Sequence, residues 1–207
     1  NYIHLGGQIM EARVKEKGIL FNAEMVQAIL SGRKTQTRRI ISEKTLHLFG
    51  VAACAGECHP LELRDDRSQS YYLDFCPLGK PGDQLWVREA FAAGLCTEST
   101  LAYRATHKPE DLEEGWGETI KWTPSIHMPR WASRINLLIT GVRVEWLNTI
   151  STGDAMAEGY PVEREATGGS LDAWLWFREL WDGIYPDNTF EVNPWCWVIE
   201  FERMEAK

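Results

Sequence analysis

Apolar residues recur along this chain in several patterns, and each predicts a different element. Between Asn22 and Gly32 they fall at Met25, Val26, Ile29 and Leu30, the spacing of one face of a short helix. Asn22 is a good N-cap, and Gly32 is well placed to end that helix. Residues 35–41 then predict extended chain, with Ile40 and Ile41 entering the core. Residues 42–83 show no clear period and carry Gly, Asp, Ser and Pro, so they are expected to be an insertion with little regular structure. Pro81-Gly82-Asp83 predicts a turn into a strand at "QLWVR". Residues 101–106 alternate weakly and predict another strand, whereas 107–133 are polar and turn-rich. "INLLITGVRVEWL", residues 135–147, predicts a long strand or bent pair with Gly141 as a bulge.

Toward the end the period changes. "STGDAMAEG", residues 151–159, predicts a short helix opened by Ser151 or Thr152 and closed by Gly159. Residues 170–185 carry the longest helical pattern, with Leu171, Trp174, Phe177 (or Leu175), Leu180 and Trp181 on one side. A final strand runs from Trp195 to Phe201, alternating Trp197, Ile199 and Phe201 against Cys196, Val198 and Glu200. Several strands with few long helices predict an α+β, mainly β fold: a small curled sheet or β-barrel with helices packed on it.

Composition narrows the function classes. The 207 residues suffice for one large domain or two small ones, and for a core that needs no staples. A net charge of −8 argues against a protein that coats long nucleic acid, which needs a broad basic face. It leaves room for one local basic pocket. The five cysteines are odd in number, and no signal peptide or apolar run of about 20 residues is legible. The expectation is a reduced, cytoplasmic protein with no membrane segment. Ten tryptophans are expected to be mainly core, with one or two free to stack on a base. The first nine residues precede Met10 and read as an upstream extension or an expression remnant.

The local basic pocket has a candidate in "GRKTQTRR", residues 32–39, which gathers Arg33, Lys34, Arg38 and Arg39 around two threonines. Cations after a helix are commonly solvated and favour its C-terminus electrostatically. This stretch, however, lies at a predicted helix-to-strand turn, a rigid place from which to present chemistry. Arginines there suit phosphate contacts while a Trp stacks a base.

"ILSGRKTQTRR" resembles the signature that opens the ASCH domain, a relative of the PUA domain. "PGDQLWVRE" resembles the Gly-Asp strand that follows there, "ISTGDAMAEG" the helix ending in a glutamate, and "PWCWVIEFER" the closing strand. The blocks occur in the ASCH order over residues 19 to 203, covering about half the chain. The resemblance implies a PUA-like ASCH β-barrel over 19–207, with insertions near 42–80, 92–132 and 160–193 and an extension at 1–18. The nearest subgroup in flavour is that of the larger ASCH proteins of bacteria and their phages.

Some small bacterial ASCH proteins are amidohydrolases that remove the acetyl group of N4-acetylcytidine. Their lysine, threonine and glutamate correspond to Lys34, Thr37 and Glu158 here. This chain departs in length, and in having Arg38 where the small enzymes tend to be apolar. Amide hydrolysis needs a nucleophile, a base and an oxyanion holder. Thr37 supplies the hydroxyl. Lys34 acts as base if its pKa is lowered by burial or by Arg33, Arg38 and Arg39. If it stays protonated it holds the oxyanion, and Glu158 is the base. The sequence leaves both open. The leading expectation from the resemblance is an amidohydrolase of an N4-acylated cytosine or similar modified base; the alternatives are a non-catalytic RNA- or nucleotide-binding module, an RNA-cleaving protein, or a phage protein whose site is vestigial.

The expected ligand is a small nucleoside or one base within RNA, with no cofactor. No protein partner is legible. Arg33, Arg38 and Arg39 are the expected binding residues, and Arg130 and Trp131 join them if "HMPRW" forms a lid. Glu89 points either to the barrel mouth or to an ion pair with Arg88 or Arg104. Cys54, Cys58, His59 and Cys76 fit zinc only loosely, because they do not form a standard pair of knuckles. Free thiols on an insertion are the preferred reading, and no metal is expected.

Overall fold

A computed structural model of the chain describes residues 14–63, 65–94, 101–108 and 120–205. The first nine residues, Cys96, Trp116 and parts of the expected 92–132 insertion lie outside them. The helix expected after Asn22 is α1, Ala23–Leu30, with the Asn22 side chain accepting from the Met25 amide at 2.8 Å. Gly32 follows it at φ 77°, a left-handed turn that glycine adopts without steric cost. The chain then enters β2, Gln36–Ile40.

Five strands form the main sheet: β1 (Glu16–Leu20), β2, β3 (Gln84–Arg88), β6 (Asn136–Trp146) and β7 (Trp195–Arg203). Their order is β1-β3-β6-β7-β2, with β1 parallel to β3 and the other neighbours antiparallel. Two short strands, β4 (Phe91–Ala93) and β5 (Leu101–Tyr103), pair separately. β1 begins inside the expected 1–18 extension, so the folded sheet starts earlier than residue 19. The bulge expected at Gly141 is present as a register shift between Ile139 and Gly141.

The fold is α+β, and among the described residues helices contribute as much as strands rather than leaving it mainly β. The sheet order has two ends, β1 and β2, which share no strand ladder. The Arg39 guanidinium, donating to the Leu20 carbonyl at 3.1 Å, spans the gap between them.

Residues 42–83 correct the expectation of little regular structure. They contain α2 (Glu43–Cys54) and α3 (Asp66–Leu73). Ser42 caps α2 by accepting from the Thr45 amide, and Phe49 of α2 meets Tyr72 of α3 with ring centroids 4.7 Å apart. Both rings belong to the main core with Trp197, Ile199 and Phe201 of β7. Apolar residues on both faces of α2 blurred its period: Phe49 and Ala52 are buried, whereas Leu48 and Val51 are exposed.

The last third follows the sequence reading more closely. α4 is Thr152–Ala157, α5 is Val162–Glu165 and α6 is Asp172–Ile184. Leu171 and Leu175 are exposed, while Ala173, Phe177 and Trp181 are buried, so the packed stripe of α6 is turned from the expected one. β7 is buried on both faces. Trp195, Trp197, Ile199 and Phe201 enter the main core, and Cys196 enters a second cluster with Leu147, Ala155, Phe177 and Trp181. The Cys196 thiol is core, as expected, and burial pushes its pKa to about 12. No helix among the described residues is long and apolar enough to cross a membrane.

Candidate functional site

β2 lies at the end of the sheet, with β7 as its ladder partner. Side chains alternate along a strand, so Thr37 and Arg39 leave one face while Gln36 and Arg38 leave the other. A cleft at an edge strand can reach both faces. One of about 400 Å³ does so here, touching Thr37, Arg38, Arg39 and Glu158. Its remaining lining includes Phe21, Asn22 and Ser125, and Phe177, Leu180, Trp181, Ile184 and Tyr185 of the α6 region.

Glu158 reaches this cleft because α4 stops there. Ser151 opens α4 with a capping box, its hydroxyl bonding the Asp154 amide at 3.0 Å and carboxylate at 2.8 Å. Glu158 is the C-cap, and Gly159 turns away at φ 105°. A Cβ at Gly159 would come within 3.0 Å of the Ala28 Cβ and 3.3 Å of the Lys34 Cβ. Only glycine lets the end of α4 sit this close to the turn carrying Lys34. Backbone bonds fix the approach: the Lys34 amide donates to the Ala28 carbonyl at 3.0 Å and Thr35 to Ala157 at 2.9 Å. Ser151→Ala removes the cap and is expected to cost about 1 kcal/mol, read from urea unfolding.

The Lys34 side chain is wholly buried. Its Nζ donates to the Glu158 Oε2 at 2.8 Å, the Glu158 carbonyl at 2.8 Å and the Gln36 carbonyl at 2.9 Å. Three oxygen acceptors match the three protons of an ammonium. Arg38, also buried, donates to the other Glu158 oxygen at 3.1 Å and approaches Glu145 at 3.4 Å and Asp154 at 3.7 Å. Its Nε has no hydrogen-bond partner. Thr37 is buried, and its Oγ1 accepts from the Arg39 Nη1 at 2.7 Å. The guanidinium of Arg39 and the ammonium of Lys34 lie 5.4 and 5.6 Å from the Phe21 ring centroid.

Burial pulls the Lys34 pKa below its ordinary 10.5; Glu158 opposes this, while Arg39 and Arg38 add to it. Below the folded pKa, Lys34 is protonated in both states and contributes no pH dependence. Between that value and the unfolded 10.5, the unfolded chain binds the proton that the native state has released, so stability rises with pH. Urea midpoints of the wild type relative to Lys34→Met are therefore expected to climb through this alkaline window. A flat difference would show that the Lys34 pKa is not lowered.

Behind the cleft is a network that the sequence reading missed. Arg143 donates to Glu145 at 2.6 Å, to Asp154 at 3.1 Å and also to Glu200. Burial pushes the Asp154 carboxyl up, but Ser151, Arg38 and Arg143 outweigh it and hold it below the usual range. Thus Arg38 and Arg143 bind α4 to the sheet. The signal was weak in sequence: charges alternating along 143–145 look like a solvated strand face.

Other expected site residues lie elsewhere. Arg33 spends its guanidinium on the Tyr160 carbonyl at 2.8 Å and does not line this cleft. Glu89 is buried in a two-bond ion pair with Arg134, at 2.9 and 3.0 Å, rather than with Arg88 or Arg104. Arg130 pairs with Glu16 at 3.1 Å, and Trp131 is 71% exposed; neither lines the cleft. None of residues 127–131, the expected lid, lines the cleft; Ser125, just before it, does. Among the described residues no three His, Cys, Asp or Glu are grouped to hold a metal ion, and Cys54, Cys58, His59 and Cys76 form no such group. Cys54 is exposed, whereas Cys76 is buried in the main core.

Fold and site define an α+β protein whose edge-strand cleft has a buried Lys–Glu–Arg cluster at its base. No family model matches the chain, and no curated protein matches it. Among solved structures, the crystal structure of protein EF3133 from Enterococcus faecalis V583, of family-model DUF984, aligns over 94% of this chain and 82% of that one. Its sequence identity is 11% and its TM-score 0.40, a likeness too slight to bear on activity or ligand.

Proposed function

We propose that this chain is an ASCH-type, PUA-like protein whose edge-strand cleft hydrolyses an N4-acylated cytosine, using Thr37 as nucleophile, Glu158 as base and Lys34 as the group that holds Glu158. The observation that carries this reading is the cluster itself. Glu158 is more than 120 residues from Lys34 and Thr37 in sequence, yet it is in direct contact with Lys34 and lines one cleft with Thr37. Lys34 is behind Glu158 and is not part of the lining, so of the two open assignments the geometry favours Glu158 as base.

In this mechanism the Thr37 hydroxyl attacks the acyl carbonyl carbon and its proton passes to Glu158. Arg39, whose guanidinium adjoins the Thr37 hydroxyl, stabilises the oxygen that gains the electron pair. Collapse breaks the C–N4 bond, and the N4 nitrogen takes the proton from Glu158. Water, deprotonated by Glu158, then hydrolyses the acyl-threonine ester and regenerates both side chains. No step requires a cofactor. A free nucleoside, or one base within RNA, as substrate accords with the net charge of −8, which disfavours binding to long nucleic acid.

A second reading is a non-catalytic nucleotide- or RNA-binding module. It is favoured by one observation: all three donors of Lys34 and one acceptor site of Thr37 are already engaged. Incubation of the pure protein with N4-acetylcytidine, followed by chromatography, separates the two. Cytidine release lost in Thr37→Ala supports the hydrolase. No release, with a melting temperature raised by a nucleotide or RNA, supports the module.

A further inference from the structure

The cleft has two unlike ends. Thr37, Arg39 and Glu158 form a polar end, and the C-terminal half of α6 forms an apolar one. Phe177, Leu180, Trp181 and Ile184 recur at the spacing of a single helix stripe, and Tyr185 extends it. Trp181 is anchored there by its indole N–H, which donates to the Asn188 carbonyl at 2.8 Å. Ile184 is 44% exposed, and Leu20 across the cleft is 45% exposed, so two large aliphatic side chains of the lining remain open to solvent. The cavity, about 400 Å³, falls within the range of roughly 300–1,000 Å³ that takes drug-sized ligands, a class larger than an acetylated base.

We infer that the apolar end receives the acyl group, and that the preferred substrate has an acyl chain longer than acetyl. The inference rests on the hydrolase reading above and deepens it. Once the scissile carbonyl is at Thr37, either the acyl chain or the base with its sugar must extend toward α6. A nucleoside placed there would bury ring nitrogens, a carbonyl and hydroxyls against Phe177, Leu180 and Ile184, at a desolvation cost. An alkyl or aryl chain removes its own apolar surface, and that of Ile184 and Leu20, from water. Ile184 and Leu20 are thus specificity-determining residues. The polar end holds the reacting amide whatever the chain length.

The test is kcat/KM for N4-acetyl-, N4-butanoyl-, N4-hexanoyl- and N4-benzoylcytosine. The expected result is a rise along the alkyl series of about fourfold per methylene, the equivalent of about 0.8 kcal/mol for each one buried. Ile184→Ser, and independently Leu20→Ser should the first variant fold poorly, are expected to reduce the hexanoyl-to-acetyl ratio by at least about fourfold on the same scale. Turnover of acetylcytosine with a flat or falling series overturns this inference and leaves the hydrolase standing. A rising series whose ratio is untouched in both folded variants overturns the placement of the chain against α6. Turnover of none of the four removes the hydrolase reading, and this inference with it.

Discussion

Thr37→Ala is expected to lower kcat/KM for N4-acetylcytidine by at least about 1,000-fold, the order seen when the nucleophile of an acyl-transfer site is removed. The fold should persist. Thr37 is an edge-strand residue, and Arg39, which donates to its hydroxyl, also bonds the Arg38 carbonyl at 2.8 Å and the Leu20 carbonyl at 3.1 Å. Those bonds survive the substitution, so the stability loss is held to about 1–2 kcal/mol for a lost hydroxyl contact. Thr37→Ser keeps the oxygen and is expected to retain most of the activity. Kinetics on the three proteins, with melting temperatures, check the prediction. Activity in Thr37→Ala within tenfold of wild type would remove Thr37 from its role.

Glu158→Ala has the larger structural consequence. The Glu158 carboxylate bonds a fully buried ammonium at 2.8 Å and a fully buried guanidinium at 3.1 Å. Removing it leaves the Lys34 charge with only carbonyl partners. Breaking such a pair from one side costs about 3–5 kcal/mol. Lys34→Met should cost less, because Glu158 keeps its bond to Arg38. The double variant Lys34→Met with Glu158→Ala should cost less than the sum of the single changes, since it removes the Lys34–Glu158 pair whole. Urea unfolding of the four proteins measures this coupling. A loss below about 1 kcal/mol for Glu158→Ala would mean that water reaches the cluster and the pair is not a buried one. Activity is expected to vanish in Glu158→Ala as well. That loss is interpretable only alongside the stability data, because Glu158 both holds α4 to the edge strand and faces the ligand.

Several parts of this molecule were legible from local chemistry. Asn22, Gly32, Ser151 and Gly159 mark helix ends by how they satisfy or redirect the backbone, and each does so where expected. β3, the bulged β6 and the start of β7 followed from turn residues and apolar runs. The basic stretch around Lys34 was visible as a concentration of cations in an acidic chain. These features depend on residues within a few positions of one another, so a linear reading captures them.

What only tertiary structure decided depends on partners far apart. α2 and α3 are secured by Phe49 and Tyr72 meeting over the sheet, and their own sequence has little period to show. Glu89 is held by Arg134, Arg33 by the Tyr160 carbonyl, and Arg130 by Glu16, so three residues singled out for binding are occupied in structure. No spacing rule links Arg38 to Glu145, Asp154 and Glu158, because burial beneath β7 and α4 selects those partners. The candidate site has the same division. Its charged residues could be read from a short stretch of chain, but whether Lys34 is a solvated cation or an enclosed ammonium depends on water being excluded. Strand order and the packing of α4 and α6 accomplish that exclusion, and the linear sequence does not display it.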